Sequence, residues 1–237
     1  MTSPEGLFAA LLAVAPARPF VTYYGDGSHD RAELSARSLA NWVAKTFFLL
    51  TDELGLGRGR TAYIDLPAHC ISVAPLLGCW TAGLEVVTDP TRADVGFVDP
   101  ERALNAVEIP DVFVIAPDSA AAGLTPDRLP PGMADYVAAV RPQADAWATV
   151  RPLATDADPA LDSQTRAELV AAAAGRAREL GLDTGARLIT GRDWHGPRDW
   201  VELLVAPLVV GGSIVFVRNG SDLERRCVQE RAQWSCS

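Results

Sequence analysis

Residues 180–195 read "LGLDTGARLITGRDWH", and residues 54–69 read "LGLGRGRTAYIDLPAH". At one constant offset Leu54, Gly55, Leu56, Gly59 and His69 meet Leu180, Gly181, Leu182, Gly185 and His195. In each copy a Leu-Gly-Leu ends a stretch with helical periodicity, and a second glycine precedes a short apolar run. Glycine just past a helix permits the left-handed conformation that closes it, and an apolar run bounded by turn residues reads as a strand. Each copy then continues through a helix into a second strand, closing on "AGLEVV" and "GGSIVF" with a shift of three residues. The chain therefore contains two related helix–strand–helix–strand units. Alternation of this kind implies a mainly parallel sheet covered on its faces.

Outward from these units the same logic fills in the chain. Ser3-Pro4-Glu5 supplies an N-cap, a proline at the first helical position and an acid in the first turn of a surface helix ending before Pro16. "FVTYY" and "RAELS" flank the polar turn "GDGSHD", a hairpin pattern. "SLANWVAKTFFLLTDEL" puts Leu39, Val43, Phe47 and Leu50 on one helical face. "AHCISVAPLLGCWTAG" reads as a helix kinked at Pro75, with "TAYIDL", "LEVVTD", "VGFVD" and "DVFVIAP" as strands. Residues 117–160, rich in Pro, Ala and Asp, read as a connection with one helical patch at "MADYVAAV". The alternation resumes with "RAELVAAAAGRAREL", "ARLIT", "RDWVELLVAPLVV", "SIVFV" and "DLERRCVQERAQ". This places a first α/β lobe over residues 1–150 and a second over 151–237.

Composition removes several functions. With 49% hydrophobic and 22% charged residues the chain is a globular mixture, not a disordered one. A net charge of −9 argues against nucleic acid, whose affinity rests on Lys and Arg. There is no run of about 18 apolar residues to span a membrane. Glu5, with no basic residue before it, precedes the apolar "LFAALLAVAPA", so this is not a signal peptide and a cytoplasmic location is expected. Cys70, Cys79, Cys227 and Cys236 show no C-x-x-C spacing, which predicts neither a disulfide framework nor a zinc site. Lys45 is the only lysine among 21 basic residues.

The short motifs point to turns more than to chemistry. The "GLGRG" at 55–59 ends a helix and precedes a strand, the reverse of a phosphate-binding loop. Asp26, His29 and Asp30 carry metal-capable atoms but read as a solvated turn, so no metal is assigned. Asp193, Trp194, His195 and Gly196 follow a strand and open a helix, where open α/β sheets collect functional groups. Asp193 or Asp199 could orient the His195 ring and Trp194 could wall a pocket. The competing reading is a helix cap that anchors the loop. Both stay open at this point, and His69 follows the same logic with the structural reading favoured.

The stretch from "ELSARSLANWVAKTFF" to "LEVVTDP" resembles the N-terminal part of AMP-binding, adenylate-forming enzymes such as acyl-CoA synthetases, with Pro67, Gly78, Ala82, Gly83, Asp89 and Pro90 at matching places. "DWHGPRDWVELLVAPLVVGGSIVFV" is similar to that family's next part, with His195 where such enzymes place an aromatic residue or His beside the acyl pocket. More narrowly, the pattern resembles a small group of truncated actinobacterial proteins. The resemblance implies a two-lobed α/β fold with mainly parallel sheets, without the family's small C-terminal domain and its catalytic lysine. Between the two units it also implies a "T-S-G-T-T-G-x-P-K-G" loop around the ATP phosphates. The equivalent stretch here, "VRPLATDADPALDSQTRAELV", has no glycine and carries Asp156, Asp158 and Asp162. Backbone that cradles phosphate needs glycine, and these carboxylates would repel a triphosphate.

These observations lead to a degenerate, non-catalytic AMP-binding-like protein with no cofactor and no catalytic residue. It would hold a small acyl or aromatic carboxylic acid, or a protein partner, near Asp193, Trp194, His195 and Gly196. The alternative is a carboxylate-activating ligase subunit completed by a separate chain, and a third reading is a self-associating homo-oligomer. The stretch "TDADPALD" is expected to be an exposed, mobile connection.

Overall fold

The computed structural model describes residues 2–25, 31–116, 123–125, 128–218, 222–232 and 234–236, the last three by backbone alone. In chain order its elements begin with α1 (Pro4–Val14), β1 (Pro19–Tyr24), β2 (Arg31–Ser35), α2 (Ala36–Phe48) and β3 (Thr61–Asp65). Next come α3 (Val73–Thr81), β4 (Glu85–Val87), β5 (Val95–Val98), β6 (Asp111–Val114), β7 (Ala134–Asp135) and α4 (Tyr136–Val140). The chain continues with β8 (Pro159–Leu161), β9 (Gln164–Thr165), α5 (Arg166–Glu179), β10 (Arg187–Thr190) and α6 (Pro197–Trp200). It closes with α7 (Ala206–Val209), β11 (Ser213–Val217), α8 (Leu223–Gln229) and β12 (Trp234–Cys236). A π-turn at Leu49–Glu53 extends α2, another at Val201–Val205 joins α6 to α7, and Pro100–Ala106 is a 3-10 helix.

Contacts divide the chain into two units. The first comprises Met1–Leu39, Ala68–Cys70 and Arg166–Ser237. Its five-stranded sheet runs β12-β10-β11-β1-β2, parallel except for the antiparallel β1–β2 pair. The boundary expected at residue 150 does not follow these contacts. β1 pairs in parallel with β11, Val21 beside Ile214 and Tyr23 beside Phe216, so the N-terminal segment folds with the C-terminal one. All five residues of β11 are buried, as a strand covered on both faces requires. In α1 the Ser3 hydroxyl accepts from the Gly6 N–H at 3.2 Å, and Phe8 packs against Phe20 at 5.9 Å between centroids. Glu5 is not the solvated helix-start acid that its position suggests. It is buried against buried Arg166, Nε to Oε1 3.0 Å, and desolvation pushes its carboxyl up although the guanidinium pulls it down.

The second unit comprises Ala40–Pro67 and Ile71–Thr165, with a seven-stranded sheet ordered β7-β6-β5-β3-β4-β8-β9. Its core holds Trp80, whose indole N–H donates to the Ala160 carbonyl at 2.9 Å, and a buried Thr46–Tyr136 hydroxyl pair at 2.7 Å. The helix expected over residues 68–83 starts only at Val73, so Pro75 falls in its first turn, where its missing N–H leaves no helical bond unmade.

The repeat is visible in the backbone. Gly55 and Gly181 have φ of 65° and 64°, Gly59 and Gly185 83° and 77°, and Gly83 and Gly211 84° and 64°. In each repeat the first strand is central, flanked in parallel by the second and third: β5-β3-β4 and β12-β10-β11. Thr61 pairs with Glu85 and Arg187 with Ser213, which makes the later shift two residues and not three. The turn bonds agree: Leu84 N–H donates to the Cys79 carbonyl at 2.9 Å and Gly212 N–H to that of Pro207 at 2.8 Å.

Candidate functional site

β10 ends at Thr190, whose hydroxyl accepts from the Arg192 N–H at 3.0 Å and starts the turn toward α6. Asp193 Oδ1 accepts from the Trp194 N–H at 2.7 Å and the Ala68 N–H at 2.5 Å, tying this loop to the segment Ala68–Cys70. The Trp194 ring, 1% exposed, stands edge-on to Phe216 with centroids 5.5 Å apart. Tyr23 is the neighbour of Phe216 across the ladder, and His69 packs edge-on against it at 4.3 Å. His69 and Trp194 therefore sit over adjacent aromatic residues at the carboxyl ends of parallel strands, the usual position of ligand sites in open sheets.

Charges fix the start of the helix. Arg192 donates to Glu202 Oε1 at 2.6 Å and pairs with Asp199, while Glu202 also accepts from Arg176 Nε at 3.0 Å. Glu202 is buried within the π-turn Val201–Val205, so its charge rests on two guanidinium groups. Asp199 Oδ2 accepts from the His195 main-chain N–H at 2.9 Å, one residue ahead of the N-cap Gly196 at φ 134°. The cap thus uses the backbone of His195, and its imidazole is exposed. Nothing lies within 4 Å of where a Cβ on Gly196 would stand.

Of the four residues singled out in the sequence, Asp193 holds the Ala68 N–H and Trp194 packs on Phe216, while His195 is exposed and Gly196 half-buried. Tyr23, Phe216, Arg192 and Glu202 went unnoticed in the sequence. Aromatic residues at the ends of two strands were a signal for the first pair; nothing local marks a buried Glu202. Cys70 beside His69 is no nucleophile. Its Sγ donates to the Val21 and Ala32 carbonyls at 3.6 and 3.5 Å, and burial pushes the thiol up to about 12. Among the described residues no group of three His, Cys, Asp or Glu could hold a metal, and Asp26, His29 and Asp30 lie outside them.

The stretch expected as a loose connection is part of a sheet. β8 pairs with β4 through Val86 and Leu161, then reverses into β9 across Asp162 and Ser163, at φ 42° and 71°. The Asp162 carboxylate accepts from the Thr88 N–H at 3.0 Å and its hydroxyl at 2.9 Å, and Ser163 N–H donates to Glu85 at 2.7 Å. Asp158 accepts from Arg58 at 2.8 Å and from the Thr155 N–H at 2.6 Å, and the bond from Arg58 is the chief cause that lowers its carboxyl to about 2. The single lysine is engaged as well: Lys45 Nζ donates to the carbonyls of Arg141 at 3.1 Å and Gln143 at 2.5 Å, just past α4.

No family profile matches the sequence. A TIGR03089 family protein from Mycobacterium tuberculosis (strain ATCC 25618 / H37Rv) is 34% identical over 242 residues, covering 98% of this chain and 98% of that protein. Among solved structures, a Brucella canis acyl-CoA synthetase matches with TM-score 0.78 at 16% identity, over 98% of this chain and 46% of its own. The anthranilate CoA ligase AuaEII, solved with anthranoyl-AMP, matches at 0.73 and 16%, over 90% of this chain and 44% of its own. A fatty acyl-adenylate ligase from L. pneumophila, solved with acyl adenylate and pyrophosphate, matches at 0.72 and 12%, over 100% of this chain and 44% of its own. Identities this low speak for fold alone. The fold is the mixed α/β one of adenylate-forming ligases, and the chain spans less than half the length of those solved. Among the described residues no helix is long and apolar enough to cross a membrane. Its relative of matching length places the chain in a family: it belongs to the TIGR03089 protein family.

Proposed function

We propose that the protein is a non-catalytic binding member of the adenylate-forming fold, and that its ligand is a small acyl or aromatic carboxylic acid. The observation that carries this is the turn at Asp162–Ser163. A phosphate-wrapping loop aims successive backbone N–H groups at one anion, a shape that needs glycine. This turn has two residues and no glycine. Its N–H groups go to the Val86 carbonyl at 3.0 Å and to Glu85 at 2.7 Å, and it carries a carboxylate. Lys45 supports the same reading, since its ammonium is spent on two main-chain carbonyls.

The ligand class is suggested by the solved ligases that hold anthranoyl-AMP and acyl adenylate. In this reading His195 contacts the acid, while Asp193, Trp194 and Gly196 set the shape of the loop. Thermal unfolding with fatty and aromatic acids, and separately with Mg-ATP, tests it. An acid at 100 times its dissociation constant adds about 2.7 kcal/mol and raises Tm. The expected result is a shift with an acid, its loss in His195→Ala, and none with Mg-ATP. A shift with Mg-ATP, or none with any acid, contradicts the proposal. The fold shared with adenylate-forming ligases supports a second reading, a carboxylate-activating ligase subunit completed by another chain.

A further inference from the structure

We infer that the 3-10 helix Pro100–Ala106, with Val107 after it, is a docking ridge for a partner protein whose surface offers a shallow apolar groove rimmed by Arg or Lys. In a 3-10 helix every third residue stacks, so the segment has three edges. Ala103, Ala106 and Ile109 form the first edge and are buried in a cluster with Tyr63, Val98, Val112 and Val114. The second edge is polar and anchored: Arg102 Nη1 and Asn105 Nδ2 donate to the two oxygens of Asp65 at 3.0 and 3.1 Å. Leu104 and Val107 make the third, 82% and 63% exposed. Amphipathic patterning would put polar residues on that edge, and this chain puts a leucine above a valine.

The ridge is anchored to the rest of the unit by three hydrogen bonds. Asp99 caps it by accepting from the Glu101 N–H at 2.9 Å, and Asp65 grips it at two further points. A seven-residue 3-10 run exceeds the usual three or four and is held by these anchors. A preordered apolar edge loses little entropy on binding. The occupant's chemistry follows from the rim, because Glu101, Glu108 and Asp111 are exposed around the two apolar side chains. These acids favour a basic rim on the partner, and the net charge of −9 acts in the same direction at long range. They disfavour a second copy docked ridge to ridge, as well as an anionic membrane surface. The inference concerns the second unit alone and stands whether or not the first binds an acid.

The test uses the full chain as wild type, L104S/V107S, E101Q/E108Q/D111N, and V14S/V228S as a control at isolated exposed valines. A protein captured from an extract of the source cells, and lost on L104S/V107S, is purified and titrated against all four chains at low and high salt. L104S/V107S is expected to weaken binding by about tenfold or more. E101Q/E108Q/D111N should weaken it at low salt and flatten the salt dependence, with the control unchanged. The inference is overturned if no captured protein depends on Leu104 and Val107, or if the purified partner ignores the three acids. Self-association of the wild type abolished by L104S/V107S in sedimentation velocity, or ridge-dependent co-sedimentation with phosphatidylcholine vesicles, also overturns it.

Discussion

In the first repeat Leu84 follows the left-handed Gly83 and is fully buried; in the second the matching residue is Gly212, where a Cβ would stand 2.3 Å from the Ala186 carbonyl oxygen. The surroundings of the turns differ as well. Gly83 is closed in by the Arg58 main chain and Leu153, whereas the Arg18 guanidinium donates to the carbonyls of Gly185 at 2.6 Å and Gly211 at 2.9 Å. The repeats share their glycine turns and strand order and hold the turns by different means, close packing in one and a charged clamp in the other. The loops after the first strands diverge in the same way: His69 is buried on Tyr23, and His195 is exposed. A matching position therefore carries no matching role.

The largest expected effect is at Gly212. Gly212→Ala should destabilise by about 3 kcal/mol, since the added methyl meets main chain that cannot yield. Gly211→Ala faces open space and should cost only the left-handed penalty of about 1–2 kcal/mol. Equal losses in urea unfolding would break the comparison. Arg18→Ala removes two charged hydrogen bonds and should cost about 1.5–3 kcal/mol. Leu153→Ala, at a side chain 42% exposed, should cost about 1 kcal/mol.

Smaller effects sharpen the account of the loop. Asp199→Ala frees the His195 N–H and one contact of Arg192, and should cost about 1–2 kcal/mol. His195→Ala keeps that main-chain bond and should change stability by less than about 0.5 kcal/mol. The reverse order would return the imidazole to a structural role. The smallest effect concerns acid. The folded-state carboxyl of Asp158 is lowered to about 2, so its contribution is complete above the ordinary Asp value, about 4, and is lost as pH falls toward 2. Asp158→Asn should flatten the stability–pH curve in that window and leave it unchanged in shape at pH 7.

Much of this was legible because the repeat is written in glycines. Gly55, Gly59, Gly181 and Gly185 each occupy a left-handed turn, which is why they mark the two units in the sequence. The later register was misread because "AG" and "GG" look alike, while the strand pairing aligns Gly83 with Gly211. β8 escaped notice because three residues opening on proline carry no period, and neighbouring strands supply its order. The burial of Glu5 depends on Arg166, far along the chain, and no local pattern announces such a partner. For His195 the sequence indicated the position after the strand but not which side of the loop the ring would take. That choice is made by Asp193 and Asp199 through main-chain bonds.

The proposal to test is that this chain, which has the fold of adenylate-forming ligases, does not activate carboxylic acids. ATP–pyrophosphate exchange by the purified full chain, across a panel of fatty and aromatic carboxylic acids including anthranilate, tests it most directly. The account predicts no exchange above a protein-free blank with any acid. Acid-dependent exchange that survives repurification would contradict it, because the chain would then activate an acid with the glycine-free turn at Asp162–Ser163 in place.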